Sequence, residues 1–166
     1  MPLAARTVLE DCKQAAALFT PGLQGSQWRI AYMANVALLR AVYHVLESRD
    51  AAVNPAFKNK FKAWASNLLA SKPAPEIYWE FIVSERNLLL KEYQSLAGQG
   101  VTVPGVLIEV NVKTGEQKAT RLGNVEHHYT INGGFFAGRD QRELIAEAIA
   151  WWETQLVALE ATAGAA

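Results

Sequence analysis

Residues 75–96, PEIYWEFIVSERNLLLKEYQSL, decide how the rest of the chain is read. Apolar side chains fall on nearly every side of this segment's helical wheel, and a helix apolar all round is the central rod of a bundle. Its middle, however, carries the polar run Ser84-Glu85-Arg86-Asn87. A charged cluster halfway along a buried rod is either an ion-pair network that fixes the bundle's register or a site. On an α-helix Glu80, Ser84, Asn87 and Lys91 line one polar seam, with Glu85 and Arg86 one residue round from it.

Upstream of this rod the chain reads as three helices. The first spans 3–19 and turns Ala5, Leu9 and Cys12 inward, which makes Cys12 a small buried hydrophobe. The second runs from a Ser26 N-cap to about residue 48, with Trp28, Tyr32, Val36, Leu39, Val42 and Leu46 on its apolar face. Arg40, His44 and Glu47 lie close together on another stripe of that helix. They are the natural partners of the rod's polar middle, through pairs such as Glu85–Arg40, with Glu80–Arg86 closing within the rod itself. The third helix starts at Asn54-Pro55, where Asn54 caps and Pro55 takes the first helical position. It buries Phe57, Phe61, Trp64 and Leu68. Lys58 and Lys62 share its opposite face, either as a solvated side or as a surface that steers a polyanion.

Downstream, Gly98 is the expected residue beyond the rod's C-terminus. Alternating apolar residues in 106–112, 117–122 and 125–131 then describe three short strands. His127 and His128 are adjacent on a strand and point to opposite faces, so they do not share a metal, and no cysteine or histidine set stands at metal spacing. No metal or cofactor is expected. Asp140 and Glu143 form a capping box for the last helix, which carries Leu144, Ile145, Ala148, Trp151, Trp152 and Leu156. Trp151 and Trp152 are ~100° apart on that helix, so burying both demands contacts on two sides.

The fold class that follows is mainly α (α+β). It is an antiparallel bundle of four to five helices with a three-stranded antiparallel β-meander before the last helix. We read 1–166 as a single domain, with a helical part at 3–97, a meander at about 103–132 and a C-terminal helix at about 140–160. A meander of that size is marginal alone, so one face is expected to pack on the bundle. The chain is 51% hydrophobic, with 16 basic and 16 acidic side chains, which supports a sizeable core and excludes the strongly basic surface of a dedicated nucleic-acid binder. One cysteine precludes an intrachain disulfide and suits a reducing, cytoplasmic setting. Glu10, Asp11 and Lys13 interrupt any signal-peptide core, and no apolar run reaches the ~20 residues of a membrane span, so no membrane partner is expected.

Arg86-Asn87-Leu88-Leu89-Leu90-Lys91-Glu92-Tyr93 resembles the motif helix of HEPN domains (higher eukaryotes and prokaryotes nucleotide-binding). That resemblance implies an up-and-down helical bundle that dimerises through its motif helices. It also implies kinship with metal-independent ribonucleases, many of them in toxin–antitoxin or defence systems. Arg86 and Asn87 match the first two motif positions and Tyr93 the trailing aromatic, but Lys91 stands where the catalytic histidine falls. A lysine with its ordinary pKa of ~10.4 stays protonated and is no base. In this frame Arg86 stabilises charge on a phosphate, Asn87 orients it, and His44 from the neighbouring helix is the stand-in base. Arg40, Ser84, Glu85, Lys91, Lys58 and Lys62 complete the expected binding surface. The resulting expectation is a homodimer that binds RNA, a nucleotide or a protein partner with little or no catalysis. Two alternatives stay open: an interaction or assembly subunit whose ion pairs are purely structural, and a small-molecule binder with a pocket between bundle and meander.

Overall fold

The computed structural model describes residues 3–161, and the chain is mostly helical. Helices α1 (Ala4–Leu18) and α2 (Gly25–Val45) pack as a hairpin. Helix α2 begins one residue before Ser26, after Gln24, and no side chain caps it. It does not stop at Val45: a π-helical turn, Leu46–Asp50, and an α turn, Ala51–Val53, carry it on to Asn54. This extension brings buried Asp50 to the start of α1, which has no cap of its own. There the Asp50 carboxylate accepts the Ala4 and Ala5 N–H groups at 2.7 and 3.0 Å. The first-turn N–H groups of a helix have no partner within it, and a negative charge there also suits the helix dipole.

Asn54 caps α3 (Pro55–Ala70) as expected, accepting from the Ala56 and Phe57 N–H groups, both at 3.1 Å. Lys60 leaves the solvated face. Its ammonium donates to the Ala158 carbonyl at 3.2 Å and to that of Leu159, where a cation offsets the negative end of the last helix.

The central rod, α4, is not a uniform α-helix. A π-helical stretch, Ile77–Val83, leads into an α turn, Ser84–Asn87, and then into a second π-helical stretch, Leu88–Glu92. The physical consequence lies in its stripes. Side chains spaced by four drift ~40° per step on an α-helix, and the wider π turn reverses that drift. Ile77, Phe81, Glu85 and Leu89 are therefore all buried along one face. Glu85 belongs to this buried stripe, whereas Ser84, Arg86 and Asn87 are half-buried and Lys91 is exposed.

The rod ends at Glu92, short of the expected position. Tyr93 takes the left-handed conformation there (φ 52°), and the Gln94 N–H closes back on the Leu88 carbonyl at 3.1 Å. Gly98, read as the residue beyond the helix end, instead lies inside a strand and has the Asn132 side chain where a Cβ would stand. The helical part thus stops before residue 97.

The three-stranded meander is also corrected. Four strands form two antiparallel ladders: β1 (Ala97–Thr102) with β4 (Glu126–Ile131), and β2 (Gly105–Val110) with β3 (Gln117–Leu122). β1 runs into β2 through Val103-Pro104 and β3 into β4 through Gly123-Asn124-Val125, so the two ladders are consecutive parts of one ribbon. Two unpaired residues on one side face three on the other, so the pairing breaks there and resumes with its register shifted by one. Pro104 cannot donate to a ladder, and Gly123 adopts a φ of 94° that glycine tolerates best. β1 escaped the sequence reading because Ala97-Gly98-Gln99-Gly100 carries none of the apolar alternation that marks a strand.

The β1–β4 part of the ribbon lies on the helices. Tyr129 is fully buried, with its hydroxyl donating to the Leu23 carbonyl at 2.9 Å and accepting the Gly22 N–H at 2.7 Å. Gln141 opens α5 (Gln141–Ala161) and is fully buried. Its amide nitrogen donates to the Gly98 and Thr130 carbonyls at 2.8 and 2.9 Å, and its oxygen accepts the Trp28 Nε1–H at 3.0 Å. Beside it Asp140 accepts the Arg142 N–H at 2.7 Å, which supplies the Asp140 half of the expected capping box; no return bond from the Glu143 side chain forms among the described residues.

Helix α5 packs against α1, α2 and α4. Trp152 is its anchor: the ring is fully buried and its Nε1–H reaches the Leu39 carbonyl at 2.8 Å. Burying an indole of ~200 Å² stabilises by about 5 kcal/mol before entropy is counted. Trp151 finds its second side on Tyr78, 5.0 Å from ring to ring, so both tryptophans are accommodated inside one chain. Arg6 ties α1 to α5 through Glu160 at 2.8 Å and through Glu153, which Lys13 also holds at 3.1 Å.

Candidate functional site

Helix α2 presents Arg40, Tyr43 and Glu47 at helical spacing toward α3 and the first half of α4. Between these helices lies a cleft of about 370 Å³, walled further by Phe61, Lys62, Tyr78 and Trp79. Arg40 is held by aromatics rather than by a carboxylate. Its Nη1 donates to the Tyr78 hydroxyl at 2.5 Å, and its guanidinium lies 4.6 Å from the Tyr43 ring centre and 5.7 Å from that of Tyr78. Burial, opposed by Arg40, pushes the Tyr78 phenol up to about 12, so at neutral pH it keeps its proton.

One turn beyond Arg40, His44 stands where burial, Arg40 and Arg86 together lower its pKa, with Glu47 opposing them. At neutral pH its imidazole is uncharged and able to accept a proton. Arg86 thus reaches the neighbourhood of His44 from α4, and its Nη1 donates to the Asn87 Oδ1 at 3.2 Å. Neither Arg40 nor Arg86 forms an ion pair among the described residues.

The expected pairs Glu85–Arg40 and Glu80–Arg86 do not form among the described residues. Glu85 faces the other way. Its carboxylate accepts the Ser95 hydroxyl and, at 3.4 Å, the Leu96 N–H, and so ties the rod to the segment leading into β1. The π-helical winding rotates Glu85 into the core stripe and away from α2's basic side chains.

The structure places Arg40 and Lys62 on the cleft wall, whereas His44 is exposed one turn beyond Arg40 and the hydrogen-bonded pair Arg86 and Asn87 does not line the cleft. It leaves Lys58 and Lys91 exposed outside the cleft, and Ser84 half-buried with no hydrogen bond through its hydroxyl among the described residues. The sequence reading missed Tyr43, Tyr78 and Trp79, which it assigned to apolar faces. The available signal was Tyr43, three residues after Arg40 and four before Glu47, which places a phenol on the same stripe as the charges. No three histidine, cysteine or carboxylate side chains cluster to hold a metal among the described residues, and no described helix is long and apolar enough to cross a membrane. Comparison with protein-family models, curated proteins and solved structures gives no match to this chain.

Proposed function

We propose that this protein is a HEPN-like binding protein that takes a nucleotide unit, free or within an RNA strand, in the cleft between α2, α3 and α4. The observation that carries this reading is Arg40: a half-buried guanidinium with aromatic neighbours and no carboxylate partner among the described residues. Such a group retains its capacity for a phosphate, which it grips with two donors. Lys62 adds a second positive charge on the wall, and Glu47 offers an acceptor to a ribose hydroxyl or base amino group. Tyr43, Tyr78 and Trp79 supply ring faces on which a base stacks, worth about 1–3 kcal/mol per base. A volume near 370 Å³ suits one nucleotide unit rather than a folded partner.

Cleavage is a weak prospect in this reading. Lys91 does not replace a catalytic histidine chemically, and His44, whose pKa Arg86 helps to lower, is exposed on α2 with no contact to Arg86 among the described residues. Titrating the protein with a short oligoribonucleotide and with a mononucleotide, followed by tryptophan fluorescence, tests the binding. Arg40→Ala should weaken both by at least ~tenfold, and raised salt should weaken the oligonucleotide more steeply. Equal binding by wild type and Arg40→Ala, or none at low salt, removes the reading. Incubating RNA with wild type and Arg86→Ala tests the residual enzyme: matched, background-level cleavage is the expected result.

A second reading, assembly with another copy of the chain, has one observation in its favour. Val106, Ile108 and Val110 form an exposed apolar stripe on the β2–β3 ladder, opposite Arg121, Ala119 and Gln117. Only Arg121 is charged there, so two copies can meet along the stripe with little like-charge contact. Light scattering that shows a monomer for wild type rejects it. A dimer that Ile108→Lys dissociates supports it.

A further inference from the structure

A second groove, of about 330 Å³, lies between α3 and α5. Trp64, Asn67 and Leu68 line it from α3, three and four residues apart, and Trp151 and Gln155 line it from α5, four apart. Pro75, just before α4, adds a pyrrolidine ring to the wall. The groove shares only Leu68 with the cleft, so what it binds does not depend on the nucleotide reading.

Its two indoles are fixed in place. Both rest on the fully buried Trp152, at 6.2 Å between ring centres for Trp64 and 4.7 Å for Trp151. The Trp64 Nε1–H donates to the Gln155 Oε1 at 3.0 Å, and Trp151 packs on Tyr78 at 5.0 Å. Rings held in this way lose little freedom when a ligand arrives. The lining carries no charged side chain, and its remaining hydrogen-bonding capacity is weighted toward donors. The Trp151 Nε1–H, the Gln155 amide N–H groups and the Asn67 amide have no partner among the described residues. Gln155 has given its oxygen to Trp64, and the Ser71 hydroxyl already donates to the Leu68 and Ala74 carbonyls at 3.0 and 2.7 Å.

We propose that this groove docks a proline-rich peptide segment in the polyproline II conformation, with pyrrolidine rings against Trp64 and Trp151 and carbonyls accepting from the Trp151 indole and the Gln155 amide. A charge-free lining gives an ionic ligand no partner, and an unpaired charge is costly to desolvate. Fixed indoles favour apolar rings, and unspent donors favour acceptors. A prolyl segment supplies both and has no N–H to leave unpaired on docking, which is why aromatic-lined grooves suit it. Other extended peptides bring N–H groups for which this lining has few acceptors, and they lose more backbone freedom. A sugar's hydroxyls donate as well as accept, so they match a donor-weighted lining less well. The spacing agrees too. Trp151 and Gln155 are four residues apart on α5, a rise of ~6 Å, and two residues of polyproline II also advance ~6 Å. A segment lying along α5 thus offers alternate carbonyls to the two donors.

The test titrates the intact protein with a decaproline blocked at both ends, with a Gly-Ser decapeptide blocked in the same way, and with cellotetraose, followed by calorimetry and tryptophan fluorescence. Decaproline should bind at least ~tenfold more tightly than the other two, since each unmatched polar group costs about as much as one lost hydrogen bond. Trp151→Phe keeps a ring face and removes the N–H. Gln155→Glu keeps an oxygen for the Trp64 indole and removes the amide donor. Each should weaken decaproline about fivefold, the loss of one hydrogen bond, while the far-ultraviolet circular dichroism stays that of wild type. Decaproline is uncharged, so the charge introduced by Gln155→Glu adds no attraction or repulsion of its own. The proposal is overturned if decaproline does not bind, if the Gly-Ser peptide binds equally well, or if either variant binds decaproline undiminished. Tighter binding of cellotetraose than of decaproline makes the groove a sugar site and overturns it as well.

Discussion

The β1–β4 and β2–β3 ladders belong to one ribbon and have the same antiparallel hydrogen-bonding pattern, each over six residue pairs. In the first, Ala97, Tyr129 and Ile131 are buried and Gln141 binds carbonyls on both strands. In the second every residue is exposed, although β2 is the more apolar strand by sequence. The ladder is thus common to both, and the difference lies in what the side chains meet. Cross-strand pairs and packing carry most of a sheet's stability, and a two-stranded ribbon with two wet faces is marginal in water. The break in pairing at Pro104 and Gly123 is where one regime gives way to the other.

This contrast is broken most severely from the helical side. Trp152→Ala removes the anchor beneath the whole assembly and should cost about 4 kcal/mol in urea unfolding. If the loss is below ~1 kcal/mol, burial does not distinguish the two regions. Gln141→Leu leaves the Gly98 and Thr130 carbonyls and the Trp28 indole N–H without their partner. It should cost about 3 kcal/mol and, by hydrogen exchange, should free the β1–β4 amides ahead of those in α2. Asp50→Ala uncaps α1 and should cost about 1–2 kcal/mol without altering either ladder's exchange.

The pH dependence is milder. The Arg142 side chain holds the Asp140 carboxyl below its ordinary value, against a smaller opposing effect of burial. The folded state therefore binds that proton less readily than the unfolded chain does. The stabilisation is complete above the ordinary Asp pKa of ~3.9 and is lost as pH falls through the lower folded value. Asp140→Asn should flatten that part of the stability profile. The smallest effect belongs to the outer ladder: Ile108→Ala should change stability by under ~0.5 kcal/mol in the monomer, and the β2–β3 amides should exchange fast in wild type and variant alike.

Helices were legible because apolar spacing reports directly on one buried face. Asn54, Pro55 and Asp140 marked helix starts through chemistry confined to neighbouring residues. The candidate site was legible in part. Arg40 and His44 sit four apart on one helix, and their link to Arg86 was an expectation about which helices are neighbours. What failed was the angle at which α4 presents its side chains. An assumed α-helix put Glu85 one residue round from the polar seam and near Arg40, and the π-helical winding turned it toward Ser95.

By itself the sequence determined the helical composition of the chain, the inward face of Cys12, the caps at Asn54 and Asp140, and the placing of His127 and His128 on opposite strand faces. Each follows from local periodicity or from a hydrogen bond that closes within a few residues. Tertiary structure decided that Asp50 caps a helix 45 residues away, that Gly98 belongs to a strand, and that one ladder is buried while its continuation is not. It also decided that Arg40 faces aromatic rings while Glu85 turns into the core. Those outcomes depend on which surfaces meet, and a pattern of spacing along one chain records what a residue can bury but not what it is buried against.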